Sequence, residues 1–393
     1  MCLDSLRKVA YQRYDVIILD ECEQVLSHFM SDTFRHSEAI FDFLSELIGS
    51  TPSVVALDAD LGWTSLLTLS RMKKLSSETQ SNFSQLHIHI NEYKPPKRKI
   101  SVFESKADLI ALLMADLNVG NRVFVASNSK RMVDQLHAAI EEQFGEDKKV
   151  LAITSENSNS EEIQLFIKNV RTEAKRFDAV LCSPSLGTGV DVAFPGNEVV
   201  FNTVYGFFEA LINTHTDIDQ QLSRVRHPNE VRVWITNRKF NMSTDVDTVK
   251  TDLLLDHVVA NTAVGYLPVK ASELTELKSP YLNMASLIVS QQRASKNSLR
   301  KHFIEYKSNC GFEVITVEQD DDLAAEGSRI HKSARLVADK RNADALLLSP
   351  AIDRQQVLDI EDTIKISSVR TLFEQIQLGS RKGLNIIGDG FVK

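Results

Sequence analysis

The stretch YDVIILDECE, residues 14–23, contains the pattern that decides the fold. Val16-Ile17-Ile18-Leu19 is an apolar run with the length of a buried parallel strand, and it ends in Asp20 and Glu21. Carboxylates at the carboxyl end of such a strand lie where open α/β sheets bind ligands. In a nucleotide hydrolase the first acid would hold Mg²⁺ and the second would orient or deprotonate the attacking water. A strand that merely ends in two exposed acids is the alternative.

Length and composition set the class of protein. The chain has 393 residues, enough for two or three domains, and is 43% hydrophobic and 25% charged. It has no apolar run of the roughly 20 residues that span a bilayer, and no apolar signal segment at its start. Its four cysteines are far apart, which predicts neither a zinc site nor a disulfide framework. We therefore expect no membrane, and a place in the cytosol.

The formal net charge of −8 argues against a protein that coats nucleic acid without specificity. It is compatible with a motor that has a locally basic groove.

Predicted strands and helices alternate along the first part of the chain, which indicates parallel sheets covered by helices. In residues 1–95 the predicted strands are 16–19, 53–57 and 86–90, with helices after Glu23, at 37–48 and from about 62. The segment 94–99, KPPKRK, breaks the alternation because proline blocks both helix and central strand, so we interpret it as a linker. Its basic residues could contact phosphate or simply be solvated.

The alternation resumes in residues 96–240. The predicted strands are 100–103, 122–126, 150–154, 178–182, 198–202 and 231–235, and the helices are 106–117, 130–144 and 160–174. Residues 241–393 have a mainly helical pattern of unknown role, with helices predicted at 245–264, 281–306, 328–342 and 355–376. The fold class predicted is therefore α/β, with two sheet units, the first incomplete, and a helical carboxyl-terminal region.

Three polar segments follow strands of the second unit. Ser127-Asn128-Ser129 can cap the next helix or offer its amides to phosphate. Residues 183–191, SPSLGTGVD, place two glycines where backbone could approach a ligand closely, with Asp191 able to hold the loop by hydrogen bonds. Residues 219–228, DQQLSRVRHP, carry Arg224 and Arg226, whose forked, permanently charged side chains suit phosphate.

The ordered set ILDE, ALDAD, VFVASNS, CSPSLGTGVDV and QQLSRVR resembles the later motifs of superfamily 2, DEAD-like helicases. It is most similar to the replication origin-binding helicase family of herpesviruses and its plasmid and phage relatives. The resemblance covers residues 10–240 and implies two RecA-like units that use ATP and Mg²⁺. The implied partner is DNA, as a single strand or an origin duplex, and the implied location is the cytoplasm or the compartment where viral or plasmid DNA is replicated.

The resemblance also implies roles for individual residues. Asp20 would bind Mg²⁺ and Glu21 would activate water, while Gln220, Arg224 and Arg226 would reach the γ-phosphate, with Arg226 the better candidate for the arginine finger. The other implied sites couple hydrolysis to strand movement (Asp58, Asp60, Gly187, Thr188, Gly189 and Asp191) or contact DNA (Ser127, Asn128 and Ser183).

The sequence departs from the family pattern at three places. Ser223 replaces a glycine, and His227 stands where many superfamily 2 members carry an arginine. No GxxxxGK(S/T) segment occurs, although the phosphate-binding loop should precede the acidic pair at Asp20. We therefore expect this chain to be the carboxyl-terminal part of a helicase, to hydrolyse ATP poorly by itself, and to need a polypeptide that supplies the P-loop half.

Two other functions remain open. The first is a non-catalytic remnant of such a helicase that binds DNA or a replication partner. The second is a small-molecule α/β enzyme, for which GTGVDV and QQLSRVR would be coincidences.

Overall fold

In the computed structural model, the described residues are 3–8, 13–31, 34, 37–75, 86–92, 98–184, 186, 190–263, 279–348, 351–352 and 385–386. The strands are β1 (Val16–Asp20), β2 (Ser53–Leu57), β3 (Lys99–Phe103), β4 (Val123–Ser127), β5 (Val150–Ile153), β6 (Ala179–Cys182), β7 (Thr203–Phe208), β8 (Glu230–Ile235), β9 (Glu313–Val317), β10 (Ala351–Ile352) and β11 (Asn385–Ile386). The helices are α1 (Cys22–His28), α2 (Ser37–Ser50), α3 (Trp63–Leu75), α4 (Lys106–Asn118), α5 (Lys130–Phe144), α6 (Glu161–Lys168), α7 (Val170–Glu173), α8 (His215–Leu222), α9 (Val246–Ala263), α10 (Pro280–Asn297), α11 (Leu299–Asn309) and α12 (Asp321–Leu347).

The chain divides into two compact units that are each built from separate stretches of sequence. The first unit contains residues 1–91, 242–294 and 346–393, and the second contains residues 92–241 and 295–345. The predicted third region, residues 241–393, is thus shared between the two units.

The first unit contains the strand predicted from the opening stretch. β1 pairs with β2 as a two-stranded parallel sheet, in which Val16 lies opposite Ser53 and Asp20 lies opposite Leu57. Alternate side chains of a strand point to opposite faces, so only half of the apolar run faces the core. Leu19 is buried there, whereas Val16 and Ile18 are about half exposed or more.

Aromatic rings fill much of the core of the first unit. The ring of Phe29 makes edge contacts with those of Phe34 and Phe41. Tyr281 of α10 packs edge-on against Phe41 and donates a hydrogen bond to Ser37 Oγ at 2.9 Å. Edge-to-face ring pairs stabilise cores beyond their buried area. Helix α10, although distant in sequence, is therefore part of this core.

The second unit is built on a seven-stranded parallel sheet with strand order β5-β6-β4-β7-β8-β3-β9. One core cluster lies between the sheet and α4, α5 and α12, and the other lies between the sheet and α6, α8 and α11. Every residue of β4 is buried, which is why this strand has the continuous apolar sequence of a strand covered on both faces. The predicted α/β fold class is confirmed.

Two glycines of the second unit permit close packing. A side chain at Gly206 in β7 would lie 2.7–2.9 Å from atoms of Phe208, Val233 and Leu222. A Cβ at Gly327 of α12 would overlap the carbonyl group of Ala107 in α4. Only glycine lets α8 and α12 approach the sheet and α4 this closely.

The carboxyl-terminal half of the second unit contains a strand that the helical pattern did not predict. Strand β9 pairs in parallel with β3, with Lys99 opposite Glu313 and Phe103 opposite Val317. The predicted helix at 281–306 is divided at Ser298 into α10 and α11. The predicted helix at 328–342 lies inside the longer α12. The predicted helix at 355–376 lies outside the described residues.

Two predicted strands are wrong. Residues 86–90 have no regular structure, and Leu86, Ile88 and Ile90 are exposed, since an alternating apolar pattern forms a strand only beside a hydrogen-bonding partner. Residues 198–202 form a loop, and the strand begins at Thr203. Asn202 forms hydrogen bonds with the backbone of Arg122, and these bonds fix where the pairing of β7 with β4 starts.

Helices of membrane-spanning length and hydropathy are absent from the described residues. The linker predicted at 94–99 lies partly outside them, and its last residue, Lys99, begins β3.

Candidate active site

The acidic segment, defined as residues Asp20–Glu23, lies at the carboxyl end of β1. Asp20 and Glu21 are both exposed. Glu21 connects β1 to α1 in the left-handed conformation, with φ 52° and ψ 53°. A residue other than glycine in this region costs roughly 1–2 kcal/mol, and such strain is concentrated at functional sites. The turn therefore holds two carboxylates outward from the end of the strand, as the sequence predicts.

Asp58 holds the acidic segment in place. It follows the last residue of β2, and its Oδ2 accepts a hydrogen bond of 2.8 Å from the backbone N–H of Glu23. Its Oδ1 accepts another of 2.8 Å from the N–H of Asp60. Because β1 and β2 are neighbours, one carboxylate joins the start of α1 to the turn after β2. The sequence predicted a coupling role for Asp58 and Asp60, and this geometry links their turn to the predicted catalytic pair.

Glu23 makes a second connection that the sequence did not single out. Its Oε1 accepts a hydrogen bond of 2.6 Å from the N–H of Gly62, just before α3. Between the acids, Cys22 is fully buried, and burial, together with the nearby carboxylates of Asp58 and Glu23, raises the pKa of its thiol to about 12. Cys22 is therefore a protonated core side chain rather than a nucleophile.

We expect Asp58→Ala to lower the free energy of unfolding of the first unit by about 1–3 kcal/mol, because two N–H groups lose a charged acceptor. Asp15→Ala is the control, since that side chain is exposed and the change should stay within about 0.5 kcal/mol. Calorimetry of the two variants measures the difference. Equal stabilities would show that the Asp58 carboxylate does not hold the turn.

In the second unit, Asp191 and Arg226 come together. The Nε of Arg226 donates a hydrogen bond of 2.7 Å to Asp191 Oδ1. Backbone bonds join the same two segments, from Val192 N–H to Arg224 O at 2.8 Å and from Arg226 N–H to Val192 O at 3.4 Å. The sequence assigned these residues separate roles, in coupling and in phosphate contact. The geometry makes Asp191 the residue that orients Arg226.

Arg224 has a different environment. It is partly buried, and burial lowers the pKa of its guanidinium. Burial raises the pKa of the Cys182 thiol, and the positive charge of Arg224 opposes that rise. Arg224 therefore lies near Cys182, the last residue of β6. Within the described residues its side chain has no hydrogen-bond or ion-pair partner. A cation held in this way at the end of a parallel strand suits an anionic ligand.

Gln220 is exposed on α8, near the carboxyl end of that helix. Gly187, Thr188 and Gly189 lie outside the described residues, so their predicted coupling role stays a prediction.

In the second unit, most of the side chains predicted to contact DNA form hydrogen bonds within the protein instead. Ser127 Oγ donates to the carbonyl of Phe207 at 2.9 Å. Asn128 exchanges two hydrogen bonds of 2.9 Å with the backbone of Glu209. Both side chains are buried, as is that of Ser183. Ser129, not Ser127, caps α5 by accepting from Met132 N–H at 3.3 Å. Contact of this segment with DNA stays a prediction.

The carboxylate of Asp20 fits Mg²⁺ bound with a nucleotide. Groups of three or more metal-ligating side chains are absent from the described residues. Mg²⁺ in nucleotide hydrolases needs only one or two carboxylates, because substrate phosphates and waters complete its octahedral coordination. Asp20, exposed at the end of β1, meets that requirement.

Comparison with known proteins agrees with the motifs. A family model described as "Origin of replication binding protein" matches residues 1–192. The predicted resemblance to replication origin-binding helicases is confirmed. The match includes the acidic segment and Asp191, whereas Arg224 and Arg226 lie beyond it.

The similar proteins are much longer than this chain. The "Putative replication origin-binding protein" of Acanthamoeba polyphaga mimivirus is 26% identical over 221 residues, which are 53% of this chain and 25% of the relative. A "Putative helicase/primase complex protein" of African swine fever virus is 21% identical over 363 residues, 89% of this chain and 31% of the relative. The chain therefore spans about a quarter to a third of these curated relatives.

Among solved structures, the helicase Lhr of Mycobacterium smegmatis bound to ssDNA and AMP-PNP aligns at 17% identity with a TM-score of 0.39. The alignment covers 70% of this chain and 36% of that chain.

Proposed function

We propose that this chain is part of an ATP-dependent DNA helicase that acts at replication origins. The observation that carries the proposal is the acidic pair, Asp20 and Glu21, held at the carboxyl end of β1 in a strained turn that Asp58 braces. The second unit adds Arg224 and Arg226, for which the sequence motif predicts contact with phosphate. The alternative, a non-catalytic remnant that binds DNA or a replication partner, is favoured by the absence of GxxxxGK(S/T) from the sequence.

Each residue has a distinct role in the proposed reaction. Asp20 would hold Mg²⁺, which would neutralise charge on the β- and γ-phosphates. Glu21 would orient the attacking water and take its proton. Arg226, oriented by Asp191, would stabilise the charge that develops on the transferred phosphoryl group, and Arg224 would bind a phosphate oxygen.

The first unit has a surface suited to the polypeptide that supplies the P-loop. On β1, Val16 and Ile18 are exposed, and on β2, Val55 and Leu57 are exposed. These four side chains lie on one face of the parallel pair, because they alternate with the buried positions and the two strands are in register. Parallel sheets are normally covered on both faces. We propose that strands and helices of the P-loop polypeptide extend this sheet and cover the exposed face.

The purified chain tests the proposal directly. We expect negligible ATP hydrolysis by residues 1–393 alone, since no lysine of a P-loop is present to hold the phosphates. Addition of the P-loop polypeptide should give turnover that DNA stimulates and that Glu21→Gln abolishes. Robust hydrolysis by the chain alone, abolished by Glu21→Gln, would contradict the need for the P-loop polypeptide. Turnover that Glu21→Gln leaves unchanged would contradict the catalytic site itself.

A further inference from the structure

Trp63, the first residue of α3, is the aromatic side chain that the proposed site leaves unexplained. It is 75% exposed. The other tryptophan of the sequence, Trp234, is half-buried beneath the ammonium group of Lys106, 5.0 Å from the ring centroid. Tryptophan, with a large apolar ring and a polar N–H, is enriched at binding interfaces.

Packing within the first unit does not require the Trp63 ring. Helix α3 is anchored by the adjoining side, where Thr64, Thr68 and Met72 are buried. Arg71 lies at the edge of this side and lines the same pocket as Thr68 and Met72. The ammonium group of Lys73 donates to the carbonyl oxygens of Ile48 and Thr51, which ties α3 to the end of α2. The ring of Trp63 is therefore available for a ligand.

The outward face of α3 combines apolar and cationic groups. Trp63, Leu67 and Arg71 follow one another at four-residue spacing, so they lie on one side of the helix, and all three are exposed. The sequence of α3 has one arginine, two lysines and no acid, in a chain whose net charge is −8. Arg71 has no hydrogen-bond or ion-pair partner among the described residues. A cationic, aromatic face of this kind is complementary to a nucleic acid strand.

The same turn connects this face to the acidic segment. Gly62, directly before Trp63, donates its N–H to Glu23 Oε1 at 2.6 Å. Glu23 is two residues from Glu21, and its own N–H is held by Asp58. The backbone that carries Trp63 is therefore held by the same hydrogen bonds that hold the proposed catalytic pair.

We propose that Trp63 stacks on a base of single-stranded nucleic acid while Arg71 contacts a phosphate of the same strand. The inference rests on the proposed function, because it needs a strand that crosses the first unit near the acidic segment. Stacking tolerates any base, since every base has a π-face, and it would let the protein hold the strand without reading its sequence. A nucleobase could also come from ATP, and the experiment separates the two sources.

Tryptophan fluorescence gives a specific readout, because Trp234→Phe leaves Trp63 as the sole tryptophan. In that background we expect an oligothymidylate to quench the emission as it binds, and ATP alone to leave it unchanged. Fluorescence anisotropy of a labelled oligonucleotide measures affinity in parallel. Trp63→Ala should weaken binding roughly 5- to 150-fold, the equivalent of about 1–3 kcal/mol, whereas Trp63→Phe should retain most of it. Arg71→Gln should reduce the slope of log affinity against log salt by about 0.7, the single-strand value for one phosphate contact.

Leu165→Ala, at an exposed apolar residue of α6, is the matched control and should leave affinity unchanged. Circular dichroism establishes that each variant is folded. Binding without quenching, together with an unchanged affinity of Trp63→Ala, would overturn the stacking role and leave the proposed function intact. Quenching by ATP alone would assign the ring to the nucleotide and overturn the strand contact. No binding of any oligonucleotide would overturn both proposals.

Discussion

Arg226→Ala is expected to lower ATP hydrolysis by roughly 10³-fold or more in the assembly of this chain with the P-loop polypeptide, because an arginine finger has an effect of that size. The loss can be attributed to chemistry, since the ion pair of Arg226 with Asp191 is 55% and 48% exposed and contributes only about 0–1 kcal/mol to stability. DNA affinity should fall far less, because removal of one phosphate contact changes the salt slope by about one unit. Steady-state hydrolysis and DNA titrations on the same variant measure both effects.

Asp191→Ala separates the orienting role from the contact with phosphate. It leaves the guanidinium of Arg226 in place without its partner, so hydrolysis should fall by less than in Arg226→Ala. A collapse of DNA affinity in Arg226→Ala with hydrolysis preserved would make the segment a DNA clamp and contradict the finger assignment. If Arg226→Ala changed neither hydrolysis nor DNA affinity, the surface ion pair with Asp191 would be the only role left for Arg226.

The strands predicted best from the sequence are those with continuous apolar runs and clear ends. The predicted span 53–57 agrees with β2, and the run at 16–19 falls within β1, because both runs stop at carboxylates that cannot be buried. Strand β9 was not predicted, because its partner, β3, lies more than 200 residues earlier in the chain. Local pattern carries no information about such pairing, and context decides β structure more than intrinsic preference does.

In the candidate site, too, local sequence predicts some features, whereas others depend on contacts between distant segments. Asp20 and Glu21 could be chosen as candidates from the sequence, because two acids directly follow an apolar run. The bond from Glu23 N–H to Asp58 spans 35 residues and depends on which strands are neighbours. The side chain of Asn128 was interpreted as a DNA contact, but it bonds to Glu209, 81 residues away. Polar side chains at strand ends can serve either the ligand or the neighbouring strand, and only the register decides.

The resemblance did not extend to residues beyond 240, yet part of this region supports the phosphate-binding segment. Asp219, which precedes Gln220 on α8, pairs with Lys307 of α11 through a contact of 2.6 Å. The side chains are 18% and 5% exposed, respectively, and the Lys307 ammonium lies 3.6 Å from the ring centroid of Phe312. A charge pair in such surroundings is screened little by water. Helix α11 is thereby fixed to the helix that leads into Arg224.

Asp219→Ala is expected to lower the free energy of unfolding of the second unit by about 3–5 kcal/mol, because it leaves the charge of Lys307 buried without a partner. Chemical denaturation followed by circular dichroism measures the change. Glu305→Ala is the control, since its pair with Lys301 on the same helix is more than half exposed and should contribute only about 0–1 kcal/mol. Replacing both partners, Asp219→Leu with Lys307→Met, should recover most of the loss, because no charge is then left buried. If Asp219→Ala were no more harmful than Glu305→Ala, the buried pair would not be what fixes α11 to α8.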